Sequence, residues 1–330
     1  MRARRCVGKG LLCAAAGLAV LGALAGGHAE SYPSKPIRMI VPASAGGPTD
    51  TIARTVAQHM GVTLGQSVII ENIGGASGTL GTTRVARAAP DGYTIGIGGW
   101  NHYVVNGAVY ALPYDLLKDF EPISLVASGP LLIISRKTIP ADDLAGLIAW
   151  LKANPGASFG TGGVASPPHV SGLSLQAMIG TQFQFVPYRG SAPAMQNLIA
   201  GQIDVMIDQS MSTLPQVRNH TIKVYAVTAR TRLSAAPEIP TVDEAGLPGL
   251  YASVWHGIWA PATTPSAIVR RLNEAVADTL GDAAVRQRFN DLGQEIFPRE
   301  QLTPEALHAY HKAEIEKWWP IIKAAGLKPE

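Results

Sequence analysis

Short apolar runs alternate with longer amphipathic stretches along most of the 330-residue chain. In the first such unit, the apolar run Ile37–Val41 leads into a turn rich in glycine and serine, and from Pro48 onward apolar residues recur at helical spacing. Runs of the first kind predict strands and stretches of the second kind predict helices. The alternation therefore predicts an α/β fold built from βαβ units, with a mostly parallel sheet and sites at the carboxyl ends of its strands.

The same alternation continues to about Pro265, and beyond that point the pattern is mainly helical. A last long helix is predicted over 304–323, where Trp318 and Trp319 are interpreted as core or docking surface. The further predicted strands lie at or near Val68–Ile70, Tyr93–Ile97, Leu131–Ser135, Phe159, Phe183–Val186, Ile203–Ile207 and Val224–Val227. The helices between them are predicted from Leu80 to Ala88, from Asp142 to Lys152, and toward Ile179 and Ala200.

The first 29 residues have the pattern of a secretory signal. A basic start is followed by an apolar stretch from Leu11 to Ala25, shorter than the ~20 residues that span a bilayer. Gly27 and Ala29 place small residues at the positions that a signal peptidase requires. We therefore expect cleavage near Ala29 and a periplasmic mature protein, rather than a membrane anchor.

Cysteine usage and charge narrow the function further. Both cysteines, Cys6 and Cys13, lie in this leader, so the mature chain has no disulfide framework, thiol nucleophile or thiolate metal site. Beyond residue 29 there are 23 basic and 24 acidic side chains. A near-neutral chain without a basic stripe argues against nucleic acid as a partner.

Familiar catalytic motifs do not match the chain. Gly74–Gly78 resembles a nucleophile elbow but places its serine wrongly. Gly160–Ala165 fits a dinucleotide fingerprint, yet the acidic residue expected ~20 positions later is missing. His308, His311 and Glu314 are expected to form a solvated helix face rather than a metal site. No cofactor and no metal are implied.

Several turns rich in glycine, serine and threonine remain, each between a strand and a helix. Free backbone N–H groups at a helix N-terminus, together with the local dipole, bind anions without a cationic side chain. Two such turns that face each other across a cleft would hold a small carboxylate. Taken singly, each turn is more simply explained as a tight βα connection that has no ligand.

An ordered set of motifs resembles the Bug receptors, the periplasmic solute-binding proteins of tripartite tricarboxylate transporters. Each motif is weak alone, but together they span nearly the whole mature chain in order. The set consists of Val41–Arg54, Val85–Thr94, Leu112–Asp115 with Lys118–Phe120, Val186–Gly190, Ile239–Val242 with Glu244–Gly246, Trp255–Pro261 and Trp318–Pro320.

The resemblance implies a two-lobed periplasmic binding protein of type II, in which each lobe is a mainly parallel sheet flanked by helices. Residues 31–128 with 254–330 would form lobe 1 and residues 129–253 lobe 2. A ligand carboxylate would be held in the cleft between the lobes by backbone amides, short polar side chains and ordered waters. The expected partners are a small organic carboxylate and membrane transporter subunits or a sensor protein, and we expect a monomer.

Carried over position by position, the resemblance gives the candidate ligand-binding residues. They are Ala43, Ser44, Ala45, Gly46, Asp50, Trp100, Asn101, Thr161, Gly163, Ser166, His169, Tyr188, Gly190 and Asp208. The chain departs from the family pattern at Ala43, where phenylalanine is usual, at Trp100-Asn101, where small residues are usual, and at Ala165, which replaces a glycine. One hypothesis is that Trp100 fills the space left at Ala43 and favours an aromatic or extended carboxylate. In the alternative, Trp100 packs within its lobe and the pocket is ordinary.

Three functions compete on this sequence. A receptor would capture a carboxylate and close over it, either for transport or for sensing. An exported α/β enzyme would use Asp50, Asp208 and His169, although capping or packing at the start of a helix explains His169 better than a catalytic base. A scaffold protein would use the surface around Trp318 and Trp319. The receptor is the prediction that the ordered motifs favour.

Overall fold

The structure, a computed structural model, describes residues 32–324, 326 and 327. The predicted leader and its cleavage position near Ala29 lie outside the described residues. The strands are β1 (Ile37–Val41), β2 (Val68–Asn72), β3 (Thr94–Gly99), β4 (Phe120–Arg136), β5 (Ser158–Thr161), β6 (Gln184–Pro187), β7 (Val205–Gln209), β8 (Ile222–Val227), β9 (Ser253–Pro261) and β10 (Glu295–Ile296).

Helices follow most of these strands, as the sequence pattern predicts. They are α1 (Pro48–Leu64), α2 (Thr79–Ala86), α3 (Asn106–Val109), α4 (Leu144–Ala153), α5 (Pro167–Ile179), α6 (Ser191–Ile199), α7 (Ser210–Arg218), α8 (Ser266–Gly281), α9 (Ala283–Asp291) and α10 (Pro304–Ala324). Short 3₁₀ turns lie at Ala76–Gly78 and Arg299–Gln301, and a π-helix at Asn101–Val105. The mainly helical end beyond Pro265 is confirmed.

The strands of the described chain form one continuous sheet in the order β2-β1-β3-β9-β4-β7-β5-β6, while β8 and β10 also pair with β4. β1 runs parallel to β2 and β3, and β5 runs parallel to β6 and β7. β9 is antiparallel to β3 and β4, and β4 is antiparallel to β7, β8 and β10. The parallel βαβ units therefore lie at the two flanks, and the long central strands are antiparallel.

The strand β4 joins two parts of this sheet. It pairs with β9 as far as Pro130 and with β7 from Leu131 onward. We call β1, β2, β3, β9, β10 and β4 up to Pro130 the first half-sheet. The strands β5 to β8 with the remainder of β4 are the second half-sheet. The connection back to the first half-sheet enters β9 at Ser253, which is the partner of Pro130.

The sequence pattern predicts only the end of β4, at Leu131–Ser135, whereas the strand begins at Phe120. Pro122, Gly129 and Pro130 interrupt its apolar run, and these residues normally weaken a strand prediction. Pairing with β9 overrides this local preference, because strand formation depends strongly on cross-strand neighbours. The register of that pair shifts on either side of Ser124, which accommodates the irregular residues.

The face of α10 that carries His308, His311 and Glu314 is only partly solvated, so the sequence prediction is wrong for two of these residues. His308 is exposed, but His311 is buried and its Nε2 lies 2.5 Å from the carbonyl oxygen of Tyr103. Glu314 accepts a hydrogen bond from the indole of Trp255 at 3.1 Å. The reason is tertiary: α10 packs against β4 and the π-helix, so this face is turned inward.

The two tryptophans near the end of α10 pack against the π-helix and the residue that precedes it. Trp318 meets Trp100 edge to face, with ring centroids 5.0 Å apart, and Trp319 donates its indole N–H to the carbonyl oxygen of Val104 at 2.9 Å. Rings of this size contribute strongly to core energetics. Among the described residues, no helix combines the length and apolar character needed to cross a membrane.

Candidate functional site

Loops at the carboxyl ends of strands enclose a cavity of about 350 Å³, which we call the cleft. The loops after β1, β2 and β3 form one wall, and the loops after β5, β6 and β7 form the other. The residues that line the cleft lie within the segments 42–49, 74–78, 101–110, 162–167 and 187–191, and Gln209 also lines it. Ligands of open α/β sheets bind at this end of the strands, so the cleft is the candidate site.

The structure brings half of the predicted site residues to the cleft. These are Ala43, Ser44, Asn101, Gly163, Ser166, Tyr188 and Gly190. The other half do not line it; they are Ala45, Gly46, Asp50, Trp100, Thr161, His169 and Asp208. Of the second group, Asp50, Thr161 and Asp208 are buried and form side-chain hydrogen bonds that shape the cleft walls.

Asp50 organises the loop after β1. Its carboxylate accepts hydrogen bonds from the Gly46 amide at 2.8 Å, from Nε of Arg54 at 2.8 Å and from Nδ2 of Asn72 at 2.9 Å. Burial by itself raises the pKa of Asp50. The hydrogen bonds and the Arg54 charge lower the pKa by more than burial raises it, so the pKa lies below its usual value. Asn72 also donates to the Ala43 carbonyl at 3.3 Å, so the carboxylate fixes both ends of the loop.

The glycine-rich turn after β2 forms part of the same wall. Its central residues Ala76 and Ser77 both have positive φ, an uncommon conformation for residues other than glycine. Asn106 holds the turn by donating Nδ2 to the Ser77 carbonyl at 2.9 Å, and the Ser77 hydroxyl donates to the carbonyl oxygen of Val164 on the opposite wall. Backbone strain of this kind concentrates at ligand clamps, so the turn is a candidate part of the site, although its serine lacks the spacing of a nucleophile elbow.

His102 lies in the π-helix, where its Nδ1 accepts the Gly99 amide at 3.1 Å. Complete burial lowers the pKa of His102 to about 4, against a hydrogen bond to the Pro42 backbone that raises it. The neutral ring therefore joins the end of β3 to the loop after β1. Burial, with the nearby His102, also lowers the pKa of His256 to about 3, and its Nε2 lies 3.2 Å from the hydroxyl of Thr49.

Trp100 does not line the cleft. Its side chain is 5% exposed and packs edge to face on Trp318. This geometry matches the alternative in which Trp100 packs within its half of the molecule, and not the one in which it fills the space beside Ala43. The ordinary pocket shape is therefore the interpretation that the packing favours.

His169 and Thr161 support the loop after β5 from behind. His169 Nδ1 accepts the amide of Ala165 at 3.2 Å, and its ring meets Phe185 edge to face at 4.8 Å. Burial lowers the pKa of His169, which favours the neutral ring that this hydrogen bond requires. Thr161 accepts the Gly163 amide at 3.3 Å. The geometry gives His169 a positioning role rather than contact with a ligand.

Asp208 is a fully buried carboxylate behind the second wall. It accepts hydrogen bonds from the hydroxyl of Ser191 at 3.0 Å and from that of Ser212 at 2.7 Å. No cation pairs with it among the described residues. Burial raises the pKa of Asp208 to about 6, although the hydrogen bonds from Ser212, the Gln209 amide and Ser191 lower it. Ser191 lines the cleft, so the buried acid orients a hydroxyl at the site.

The two walls touch each other, and the cleft is closed in this structure. A Cβ atom placed on Gly190 would lie 2.4 Å from the hydroxyl oxygen of Ser44, and the φ of Gly190 is +115°. Only glycine permits both the approach and this backbone conformation. The hydroxyl oxygens of Ser44 and Ser166, one on each wall, are buried with no hydrogen-bond partner among the described residues.

Sequence reasoning missed several cleft residues. They are Thr49, Ala76, Ser77, His102, Tyr110, Arg189, Ser191 and Gln209. The sequence does contain a signal for the Ala76-Ser77 turn: the turn is rich in glycine and follows a predicted strand, as the other predicted site loops do. Thr49 and Arg189 lie within the family motifs but were not candidate ligand-binding residues. The other residues carry no local motif, because only the packing of distant loops brings them to the cleft.

The cleft can hold a small polar molecule by hydrogen bonds from two sides. Arg189, exposed at the rim, is the one formally charged side chain in the lining that the structure describes, since His102 is neutral. In the described part of the chain, no group of three or more His, Cys, Asp and Glu side chains is placed to hold a metal ion. A buried carboxylate would cost free energy unless such donors satisfied it.

Comparisons with known proteins identify a family and solved structures that match this chain over most of its length. The profile of the tripartite tricarboxylate transporter family receptor, TctC, matches residues 52–327. The periplasmic binding protein BugD has a similar solved structure, with 38% identity, a TM-score of 0.87, and coverage of 91% of this chain and all of that one.

Two further solved structures contain ligands. MatC of Rhodopseudomonas palustris, solved with bound malate, is 37% identical with a TM-score of 0.84 and covers 88% of this chain and 100% of its own. The R. palustris protein Rpa4515, solved with adipate, is 32% identical with a TM-score of 0.85 and covers 91% of this chain and 100% of its own. Similarity at this level extends across both half-sheets.

Proposed function

The chain belongs to the tripartite tricarboxylate transporter receptor family, and we propose that it captures a small aliphatic dicarboxylate in the cleft. Members of this family are solute-binding proteins with an α/β periplasmic binding protein fold, so the chain is a receptor and not an enzyme. Two similar proteins were solved with malate and with adipate, which supports a ligand with two carboxylates. Delivery from the periplasm to membrane transporter subunits completes the proposed role.

One observation carries the proposal: two serines that line the cavity from opposite walls have buried hydroxyls without hydrogen-bond partners among the described residues. A buried polar group normally has a hydrogen-bond partner, and one without a partner costs about 1–3 kcal/mol. Ser44 and Ser166 lie on opposite walls of the cleft. A bound carboxylate, directly or through ordered water, would supply acceptors for both hydroxyls.

The division into lobes is part of the same proposal. Residues 31–128 with 254–330 would form lobe 1 and residues 129–253 lobe 2. Two features support this division: β4 changes partners after Pro130, and the return connection enters β9 at Ser253. Opening and closing would then turn about these two crossovers, and a ligand would favour the closed form through its contacts with both walls.

Titration calorimetry of the mature chain, residues 30–330, tests this function. Malate and adipate should bind with saturable heat and should be recovered unchanged, while citrate, acetate and leucine serve as comparison ligands. At a hundredfold excess over Kd, a ligand of this kind stabilises the fold by about 2.7 kcal/mol, which thermal unfolding detects. Absence of binding by every dicarboxylate of the panel would reject the proposed ligand class.

A further inference from the structure

A second cavity, of about 680 Å³, lies beside the crossover strands and shares no lining residue with the cleft. Its floor includes Ser128 and Pro130 of β4 and Ser253 of β9, where the chain passes between the half-sheets. One side is formed by the segment after β8, and the other by the turn before β10 and by α10. Its volume lies in the range of small-molecule sites, about 300–1,000 Å³.

Aromatic rings and cations face this cavity from both sides. On the side that follows β8, the guanidinium of Arg230 lies 4.2 Å from the ring centre of Tyr251. On the α10 side, Tyr310 and Trp318 line the cavity, and the ammonium of Lys317 lies 5.0 Å from the Trp318 ring centre. Aromatic side chains on two sides of the cavity favour a flat aromatic guest that packs against them.

The charges leave one cation without an acid. Glu314 receives indole N–H groups and lies 3.9 Å from Lys317, and Arg232 pairs with Glu244 at 2.8 Å. Arg230 is exposed and forms no ion pair with any described residue. The lining also includes the exposed acid Glu295, which balances the overall charge, so Arg230 is distinguished as the cation of the lining that no described acid contacts.

A buried polar atom provides an independent sign of a ligand. Gln294 is 4% exposed and lines the cavity, and its Nε2 donates to the hydroxyl of Ser210 at 2.8 Å. Its Oε1 has no hydrogen-bond partner among the described residues. Such an atom normally receives a hydrogen bond. A guest with an O–H or N–H donor would supply one.

We propose that this cavity is a second ligand site, which takes a small planar aromatic acid bearing a hydrogen-bond donor. The ring would lie between Tyr251 and the Tyr310–Trp318 side, with its carboxylate toward Arg230 and its donor toward Gln294. Residues of both half-sheets line this second cavity, so its shape depends on the angle between the half-sheets. The guest therefore fits at only one such angle. Its binding is therefore coupled to closure of the cleft, a coupling that rests on the proposed function.

The probe for this site is salicylate, which is planar and carries both a carboxylate and a hydroxyl donor. Its affinity should be measured by calorimetry on the mature chain and on three exposed-arginine variants. Arg230→Gln removes the proposed cation, Arg189→Gln removes the arginine at the cleft rim, and Arg270→Gln on α8 is the matched control. We expect at least a tenfold loss with Arg230→Gln, as for a charged hydrogen bond, and less than a twofold change with the other two.

Each outcome is decisive for the site. No salicylate binding by the wild-type chain, or a loss with Arg189→Gln instead of Arg230→Gln, would overturn it, since the second result assigns the probe to the cleft. Equal affinity in all variants would also reject it. If adipate does not bind, only the proposed cleft ligand is contradicted. The comparison of salicylate affinities between the arginine variants still tests the second site.

The coupling has its own readout. In wild-type protein that binds both compounds, saturating salicylate should tighten adipate binding about threefold or more, and adipate should tighten salicylate binding by the same factor. Arg230→Gln should abolish this mutual effect while adipate alone still binds normally. Competition between the two compounds, or no mutual effect, would overturn the coupling.

Discussion

Different sets of buried titratable groups support the loops that form the two walls of the cleft. Behind the first wall, the supporting groups are the neutral bases His102 and His256 and the paired carboxylate of Asp50, which a cation compensates. Behind the second wall lie His169, a further base held neutral, and Asp208, a buried acid that only hydroxyls and an amide compensate. Acid therefore destabilises the first wall, whereas in the second wall the protonation of Asp208 opposes the free-energy cost of charging His169.

This difference shows that a βα loop needs fixed hydrogen bonds rather than a particular charge. The cost is a different response to pH in each wall. A histidine held neutral must be charged as the pH falls, whereas an acid with a raised pKa takes up a proton at a pH where the unfolded chain does not. If the buried groups behind the walls act in this way, the dependence of stability on pH should change in opposite directions when a neutral histidine or Asp208 is removed.

The largest expected effect is the loss of stability in acid. His102, His256 and His311 have pKa values of about 4, 3 and 4, below the ordinary 6.5, so the unfolded chain binds more protons than the folded one below pH 6.5. Each histidine should cost about 2 kcal/mol between pH 7 and 5, and protonation of Asp208 should return about 1 kcal/mol. Urea unfolding at the two pH values should therefore show a loss of about 4–5 kcal/mol.

Protonation of Asp208 stabilises the folded chain as the pH falls, opposite to the effect of the histidines. A substitution at this position measures its contribution separately. Its folded pKa of about 6 lies above its ordinary 3.8, so its stabilising proton is fully bound below pH 4 and is lost as the pH rises through 6. In Asp208→Asn the loss between pH 7 and 5 should grow by about 1 kcal/mol. A wild-type stability that is constant from pH 7 to 5 would contradict the assignment of neutral histidines to the first wall.

Gly190→Ala tests whether the walls must touch. The new methyl group would meet the Ser44 hydroxyl at 2.4 Å and would also strain a backbone with φ of +115°. We expect the affinity for adipate or malate to fall about a hundredfold, equivalent to about 3 kcal/mol, as closure is blocked. Gly246→Ala is the control, because its φ is +82° but no atom lies within 4 Å of the new methyl. Equal losses in both variants would attribute the effect to backbone strain alone.

Much of the fold, and less of the site, follows from the sequence. The βα units at both flanks have local signals, such as the proline that begins α1. The first part of β4 lacks such a signal because Pro122 and Gly129 obscure it, and only pairing with β9 makes it a strand. At the site, motif positions located Ser44 and Gly190 directly. They could not separate Asp208 from these lining residues, because burial behind a wall is set by tertiary packing.

A smaller effect should distinguish the two supporting carboxylates. Asp50→Asn removes the charge that holds the Gly46 amide and Arg54, and we expect it to lower the free energy of unfolding by about 2 kcal/mol at pH 7. Asp208→Asn keeps a hydrogen-bond acceptor and removes an uncompensated buried charge, so it should cost less than about 1 kcal/mol. Urea unfolding of both variants measures the difference. A larger cost for Asp208→Asn would mean that its charge stabilises the second wall.

Ser77→Ala should produce the smallest of these effects, and it probes the contact between the walls most directly. The Ser77 hydroxyl donates to Val164 across the cleft, so its removal weakens the closed form but leaves the open form unchanged. A neutral hydrogen bond contributes about 1 kcal/mol, and the affinity for adipate should therefore fall about fivefold. The loss should appear in the dissociation rate, because a ligand leaves only after the walls separate. Ser174→Ala, which removes a hydroxyl that bonds within α5, is the control and should leave both the affinity and the dissociation rate unchanged. An unaltered dissociation rate in Ser77→Ala would show that ligand contacts alone hold the two walls together.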